Sequence, residues 1–144
     1  MLFRSRIEFN PVSSAPFLFV YGTLMSICPR NRYSRLLAQE AELVGSALIP
    51  GRLYAWKRHP ALRPAQSAAD QAAGELYRLP RPSKTLAVLD SYEGTDYIRV
   101  RTWATLASGR SVQCWTYVYV HAMPRARRIA SGQWRPGEAS YLRG

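Results

Sequence analysis

The sequence predicts an α+β fold, a small mixed β-barrel or strongly twisted sheet with flanking helices. Segments with strand character outnumber those with helical character, and they do not alternate as regular βαβ units. The chain has 144 residues, of which 47% are apolar, enough for one hydrophobic core. We therefore expect a single domain over residues 16–144. Residues 1–15 are predicted to be a poorly ordered N-terminal extension.

The first half of the chain contains three predicted strands and one helix. "FLFVYG" (17–22) has the continuous apolar character of a buried strand, and "NRYSRLLAQE" (31–40) is typical of a short helix capped by Asn31. "AELVGSALIPGRLYAW" (41–56) predicts two strands joined at Pro-Gly, a turn signal. Residues 57–73 contain two prolines and no clear period. We expect this segment to be a loop, a candidate lid.

The second half predicts a strand, a helix and a hairpin. "GELYRL" (74–79) is a short strand, and a helix follows from an N-cap at Ser83 to a stop at Gly94. The alternating segments "YIRVRTWATL" (97–106) and "SVQCWTYVYV" (111–120) flank a glycine-containing turn, which predicts a β-hairpin.

Composition argues against several classes of function. The net charge is +11, but the arginines are scattered, and the densest cluster, "RARR" (125–128), is too short to define a nucleic-acid-binding surface. Cys28 and Cys114 form neither a disulfide framework nor a zinc motif, and His59 and His121 lack ligand spacing. No apolar run approaches the length of a membrane span or signal peptide. The sequence therefore predicts a cytoplasmic protein without a bound metal, and nucleic acid is not the expected partner.

One acidic residue stands on the apolar side of the predicted helix. Leu86, Leu89 and Glu93 fall at positions i, i+3 and i+7, on one helix face. A carboxylate drawn toward a core must find partners or change its pKa. Glu93 is therefore tied to an arginine such as Arg99 or Arg101, solvated at the helix end, or available for chemistry.

A second candidate site lies where the first strand ends. In "VYGTLM", Tyr21, Gly22, Thr23 and Leu24 leave backbone amides near a turn, and such amides favour an anion. The alternative is a tight turn in which Tyr21 only packs. Asp90 and Asp96 compete with Glu93, the first at the flank of the apolar face and the second in a predicted loop.

The ordered set of motifs resembles the γ-glutamylcyclotransferase-like proteins, which include AIG2-like and YtfP-like members. It comprises "FVYGTLM", "LIPGRLYAW", "HPALRPA", "GELYRL", "LAVLDSYEG", the hairpin, and "SGQWR". Together these segments extend from about Phe17 to Arg135. The resemblance implies a small α+β barrel with flanking helices.

The resemblance also implies a site and a reaction. The substrate pocket would include Tyr21, Gly22, Thr23 and Leu24, and Glu93 would be the catalytic acid/base. The reaction would cyclise the γ-glutamyl group of a small-molecule γ-glutamyl amine to 5-oxoproline and release the amine, without a cofactor. Apart from the resemblance, the strand tyrosines Tyr97, Tyr117 and Tyr119 are candidates to line the pocket and bond the glutamyl group, and the alternative is that they only pack.

The chain departs from the family pattern near its end, where Gln133 replaces the aspartate of an expected Ser-Gly-Asp-Trp. Neither this change nor the N-terminal extension involves the residues assigned to the chemistry. Because a fold does not fix a function, a non-catalytic module that binds a small ligand or a protein is the alternative.

Overall fold

A closed five-stranded barrel forms the centre of the computed structural model, which describes residues 16–22, 31–57 and 59–134. The predicted extension, residues 1–15, lies outside the described residues. The barrel strands are β1 (Phe17–Val20), β2 (Glu42–Pro50), β5 (Gln71–Arg78), β6 (Tyr97–Leu106) and β7 (Ser111–Tyr119). With its two helices, described below, the barrel confirms the predicted α+β fold.

Four of the five barrel pairings are antiparallel and one is parallel. The order around the barrel is β1-β5-β2-β6-β7, and β7 returns to β1. The predicted hairpin is confirmed as β6 and β7, paired from Tyr97–Tyr119 to Thr105–Ser111. The closing contact is the parallel one, in which Leu18 is the partner of Trp115. Closure gives each of the five barrel strands a hydrogen-bonded neighbour on both sides.

Close approach of backbones explains a glycine in the barrel. On β5, a Cβ atom added at Gly74 would overlap the carbonyl oxygen of Val20 and the ring of Phe19. Only glycine allows β1 to lie this close to β5. The same packing fixes the end of β1, where the proposed site begins.

A smaller three-stranded sheet lies beside the barrel, in the order β4-β3-β8. It consists of β3 (Arg52–Trp56), β4 (His59–Arg63) and β8 (Arg127–Arg128). The prediction of a loop over residues 57–73 is wrong, because β4 and the start of β5 lie in this segment. Pro60 concealed the strand from sequence analysis, but β4 is an edge strand, where a missing N–H group is tolerated.

Both predicted helices are present, one with a different start. Helix α1 (Arg32–Glu40) is capped by Asn31, whose side chain accepts hydrogen bonds from two backbone amides of the first turn. Helix α2 (Pro82–Glu93) ends at Gly94 with a positive φ of 64°. The predicted N-cap at Ser83 is wrong: Arg81 holds that position. Pro82 occupies the first turn, where its fixed φ favours a helix and its missing N–H costs nothing.

The core fills the barrel and extends beneath both helices. Its fully buried side chains include Leu18, Phe19, Leu37, Leu76 and Leu89. Cys114 is buried among them, and burial raises the pKa of its thiol to about 12, which makes it an inert packing residue. Cys28 lies outside the described residues. No helix in the described ranges is both long and apolar enough to cross a membrane.

Candidate active site

A cavity of about 470 Å³ lies where the barrel, helix α2 and the small sheet meet. The end of β1 forms one side of it, and the end of α2 forms another. The ends of β3, β4, β6 and β7 contribute the remaining wall. Six of the predicted site residues line this cavity: Tyr21, Gly22, Glu93, Tyr97, Tyr117 and Tyr119. Thr23 and Leu24 lie outside the described residues.

Glu93 enters the cavity from the last turn of α2. Leu86 and Leu89, on the same face, are buried, and they hold this face against the barrel. Burial, helped by the negative charge of Asp90, raises the pKa of the Glu93 carboxyl to about 7. A carboxyl group that titrates near neutrality can both take and return a proton.

Asp90 lies one turn earlier on α2, and its pKa is shifted in the opposite direction, below its usual value. Nε and Nη2 of Arg99 donate to its two carboxylate oxygens over 2.9 and 3.1 Å. The hydroxyl of Tyr117 donates to Oδ1 over 2.7 Å. Although burial opposes ionisation, these bonds hold the pKa of Asp90 below its usual value. Arg99 is thus a partner of Asp90, which leaves Glu93 as the carboxyl near neutrality.

Tyrosine hydroxyls line the cavity and bond to fixed protein groups. Tyr97 donates to the carbonyl oxygen of Pro60 over 2.9 Å, and Tyr21 donates to the carbonyl oxygen of Tyr117 over 2.7 Å. Burial raises the pKa of both phenols, and the charge of Glu93 adds to the rise. The phenols therefore stay neutral at physiological pH and hold the wall in one arrangement.

Asp96 also reaches the cavity, as part of the turn predicted for it. Its carboxylate lies 3.2 Å from Nε2 of His121, and both side chains are largely exposed. This solvated position differs from that of Glu93. Of the three acidic candidates, Asp90 is paired with Arg99 and Asp96 is exposed, whereas burial raises the pKa of Glu93.

Five further wall residues were not assigned to the site from the sequence, although Lys57, His59 and Pro60 lie in the segment that was expected to be a candidate lid. Trp56, Lys57, His59 and Pro60 come from the β3–β4 hairpin, and Tyr92 comes from α2. The aromatic end of "LYAW" was the one available signal for the hairpin residues. The pairing of Trp56 with His59 in the small sheet was not visible from local sequence, because two prolines interrupted the strand pattern.

A sequence profile of γ-glutamyl cyclotransferase, AIG2-like, matches residues 18–136. The chain belongs to this family. The match includes most of the strand that leads to Tyr21, the helix that carries Glu93, and the hairpin that carries Tyr97, Tyr117 and Tyr119. Comparison with curated proteins gave no match.

Solved structures show the same fold at low sequence identity. YkqA of Bacillus subtilis superposes with a TM-score of 0.68 at 22% identity, over 88% of this chain and 42% of that one. An AIG2-like protein of Mus musculus gives 0.62 at 24%, over 76% of this chain and 80% of that one. A structure titled gamma-glutamyl cyclotransferase gives 0.55 at 14%, over 78% and 70%. The chain thus spans less than half of YkqA but most of the other two.

Proposed function

We propose that this chain is a cofactor-free γ-glutamyl cyclotransferase that uses Glu93 as its general acid/base. One observation carries the proposal: in a chain of this family, a carboxyl group with a pKa of about 7 opens onto a cavity at the end of β1. Perturbed acids of this kind cluster at functional sites.

The reaction needs a folded substrate and the transfer of two protons. The α-amine of the γ-glutamyl group attacks its own γ-carbonyl carbon, a C–N bond closes the five-membered lactam, and the bond to the leaving amine breaks. The α-ammonium carries three protons and the lactam nitrogen carries one, so two protons pass to the leaving nitrogen, which departs as an ammonium. Glu93 takes each proton from the attacking nitrogen and delivers it to the leaving nitrogen, so that the carboxyl group ends as it began. Holding the reacting atoms together contributes up to about 7 to 11 kcal/mol.

The remaining charge of the substrate needs hydrogen-bond donors. The resemblance assigns this role to the backbone amides of the Tyr21–Leu24 motif, which would hold the α-carboxylate or the developing oxyanion. Gly22 lines the cavity beside Pro60. The contribution of Thr23 and Leu24 is proposed from sequence, because both lie outside the described residues.

Release of 5-oxoproline tests the proposal directly. The purified protein is incubated with a panel of γ-glutamyl amines, and 5-oxoproline is measured by mass spectrometry. Glu93→Gln keeps the shape of the side chain but cannot exchange a proton, so we expect at least about a 100-fold loss of rate. Asp96→Asn is the matched control, since it removes a cavity carboxylate that is solvated and paired with His121. It should retain most of the activity.

The alternative function predicts a different result. A folded protein that binds γ-glutamyl amines but releases no 5-oxoproline would be a binding module on this fold. Equal rates for the wild type and Glu93→Gln would contradict the role of Glu93 even if turnover occurred.

A further inference from the structure

A second cavity, of about 510 Å³, lies against the small sheet and is lined by two arginines. We call it the arginine cavity. Arg63 of β4 and Arg125, in the turn before β8, supply its charges, and Tyr54 and Met123 supply an apolar wall. Among the residues that the structure describes, no acidic side chain lines it, and none of its residues lines the candidate active site. It is therefore a separate, positively charged place on the molecule.

Arg63 is a cation in a fixed position. Its Nη1 donates to the carbonyl oxygen of Tyr119 over 2.9 Å, and its Nη2 donates to the carbonyl oxygen of His121. Carbonyl oxygens are neutral, so they orient the guanidinium without cancelling its charge. A guanidinium has five N–H donors, and these two bonds leave others for an anion.

Arg125 lies at a backbone position that does not suit its residue type. The amide of Ala126 donates to the carbonyl oxygen of Met123 over 3.1 Å, which closes a four-residue turn with Pro124 at its second position. Arg125 at the third position has a φ of 65°. This is the pattern of a type II turn, in which that position favours glycine or asparagine. An arginine is strained there, and strain of this kind is concentrated at functional sites.

The charges beside the arginine cavity are not balanced within the described part of the chain. Arg52 lies directly opposite Arg63 across β3 and β4, and like charges in this position are destabilising. The nearby carboxylate of Asp70 accepts from two backbone amides and from Arg128, and lies 3.4 Å from Nε of Arg52. One carboxylate thus serves two other arginines. The charges of Arg63 and Arg125 are left for a ligand.

We propose that the arginine cavity binds a small organic phosphate, with its phosphoryl group between Arg63 and Arg125 and its organic part against Tyr54 and Met123. Guanidinium groups match phosphate oxygens through paired N–H donors. A phosphate monoester carries nearly two negative charges at neutral pH, which balances the two arginines, whereas a carboxylate would balance one. This site is independent of the cyclotransferase proposal, because it shares no residue with the cavity that contains Glu93.

Three probes test the chemical class of the ligand. Phenyl phosphate carries a ring and a dianion, benzenesulfonate carries a ring and a single charge, and inorganic phosphate has no organic part. Their dissociation constants are measured by calorimetry with the full-length wild type at pH 7.5 and about 150 mM salt, which screens attraction to the net positive charge of the surface. We expect phenyl phosphate to bind at least about tenfold more tightly than either of the others.

Three glutamine variants test the location. Arg125→Gln should weaken binding of phenyl phosphate about tenfold or more, because it removes a charge-assisted contact. Arg110→Gln removes the same charge from an exposed turn position, and Lys57→Gln removes the cation that lines the candidate active site. Both should change the dissociation constant by less than about twofold, because their charges are screened from the arginine cavity.

Arg125→Gly separates binding from folding. Glycine adopts a positive φ without strain, so the Tm of the free protein should not fall. Phenyl phosphate should raise the Tm of the wild type by mass action, and this rise should be lost in Arg125→Gly. A residue that served only the fold would give the opposite pattern, a lower Tm with the ligand-dependent rise retained.

Each of several results would overturn the inference. Phenyl phosphate could bind no more tightly than benzenesulfonate or inorganic phosphate, or its binding could survive Arg125→Gln. A loss in Lys57→Gln as large as that in Arg125→Gln would place the phosphate in the other cavity. Equal losses in Arg125→Gln and Arg110→Gln would show attraction to the whole surface and no defined site.

Discussion

At the scale of single residues, the carboxyl groups of Asp90 and Glu93 lie one helical turn apart, and their pKa values are shifted in opposite directions. Asp90 is held ionised by Arg99 and Tyr117, whereas Glu93 is partly buried and feels the charge of Asp90. Pairs of acids whose environments move their pKa values apart are a common basis for acid/base chemistry. Here the separation arises from the neighbours of the two side chains.

Glu93 should make folding stability depend on pH. Its pKa is about 7 in the folded protein and 4.5 in an unfolded chain. Folding therefore takes up a proton between these values, and stability falls as pH rises through the window. Glu93→Gln removes this fall, so we expect it to stabilise the protein at pH 8 relative to the wild type by up to about 3 kcal/mol. Urea unfolding at pH 4.5 and pH 8 measures the effect.

Glu42→Gln is the control for this pH dependence. Arg78 holds the pKa of the exposed Glu42 carboxyl below its usual value, so its removal should lower stability at pH 8 or leave it unchanged. If Glu93→Gln changed the free energy of unfolding by the same amount at pH 4.5 and pH 8, the raised pKa of Glu93 would be contradicted.

Asp90 should influence the titration of Glu93. Asp90→Asn removes one of the two causes of the raised pKa, so the pKa of Glu93 should fall while staying above its ordinary value because burial persists. The side-chain carboxyl ¹³C signal of Glu93, followed by NMR over pH, reports this without turnover. In Tyr117→Phe, Arg99 still pairs with the Asp90 carboxylate, and Glu93 should titrate closer to its wild-type pH than in Asp90→Asn. If the pKa of Glu93 were unchanged in Asp90→Asn, the charge of Asp90 would have no effect on the titration of Glu93.

At the scale of elements, the small sheet is held to the barrel at the cavity. Arg63 on β4 donates to the carbonyl oxygens of Tyr119, over 2.9 Å, and His121. Trp56 and Tyr97 add one hydrogen bond each between the small sheet and the hairpin. These polar contacts add to the burial of Leu53, Ala55 and Leu62 of the small sheet in the hydrophobic core.

Arg63→Ala should loosen the cavity wall formed by β3 and β4. The loss of two charge-assisted hydrogen bonds is expected to cost about 2 kcal/mol of unfolding free energy. Hydrogen exchange should become faster in His59–Arg63 and remain slow in the barrel strands, because opening would be local. Arg110→Ala, at an exposed turn position, is the control, with an expected effect within about 0.5 kcal/mol. If hydrogen exchange became equally faster in all strands, Arg63 would stabilise the whole fold and not only the attachment of the small sheet.

At the scale of the whole molecule, barrel closure depends on a contact between distant parts of the chain. The hydroxyl of Thr116 on β7 donates to the carbonyl oxygen of Phe19 on β1 over 3.1 Å, and Thr116 is fully buried. This bond lies beside the parallel pairing of the two strands. It joins the strand that leads to the Tyr21–Leu24 motif to the strand that carries Tyr117 and Tyr119.

Thr116→Val tests the contribution of this bond. Valine keeps the shape but leaves the carbonyl oxygen of Phe19 without the hydroxyl, so unfolding free energy should fall by about 1 to 2 kcal/mol. Thr105→Val, on an exposed position of β6, should change it by less than about 0.5 kcal/mol. Urea unfolding of both variants makes the comparison, and equal effects would show that the buried bond contributes nothing.

Local sequence determined much of this protein. Hydrophobic periodicity and turn residues predicted the β6–β7 hairpin, Asn31 and Gly94 marked helix ends, and the spacing of the leucines brought Glu93 toward the core. The two errors have local causes: Pro60 concealed an edge strand, and Ser83 looked like an N-cap although Pro82 precedes it. The order of the motifs identified the family.

Tertiary structure alone decided which groups meet. Barrel closure pairs β1 with β7, which are far apart in sequence, and so brings Tyr21 to Tyr117. The packing of α2 and the small sheet on the barrel also decides that Arg99 binds Asp90, that Glu93 has a raised pKa, and that Tyr119 accepts a hydrogen bond from Trp56. Periodicity reports which face of an element is buried, but the partner of each polar atom depends on the strands and helices that surround it.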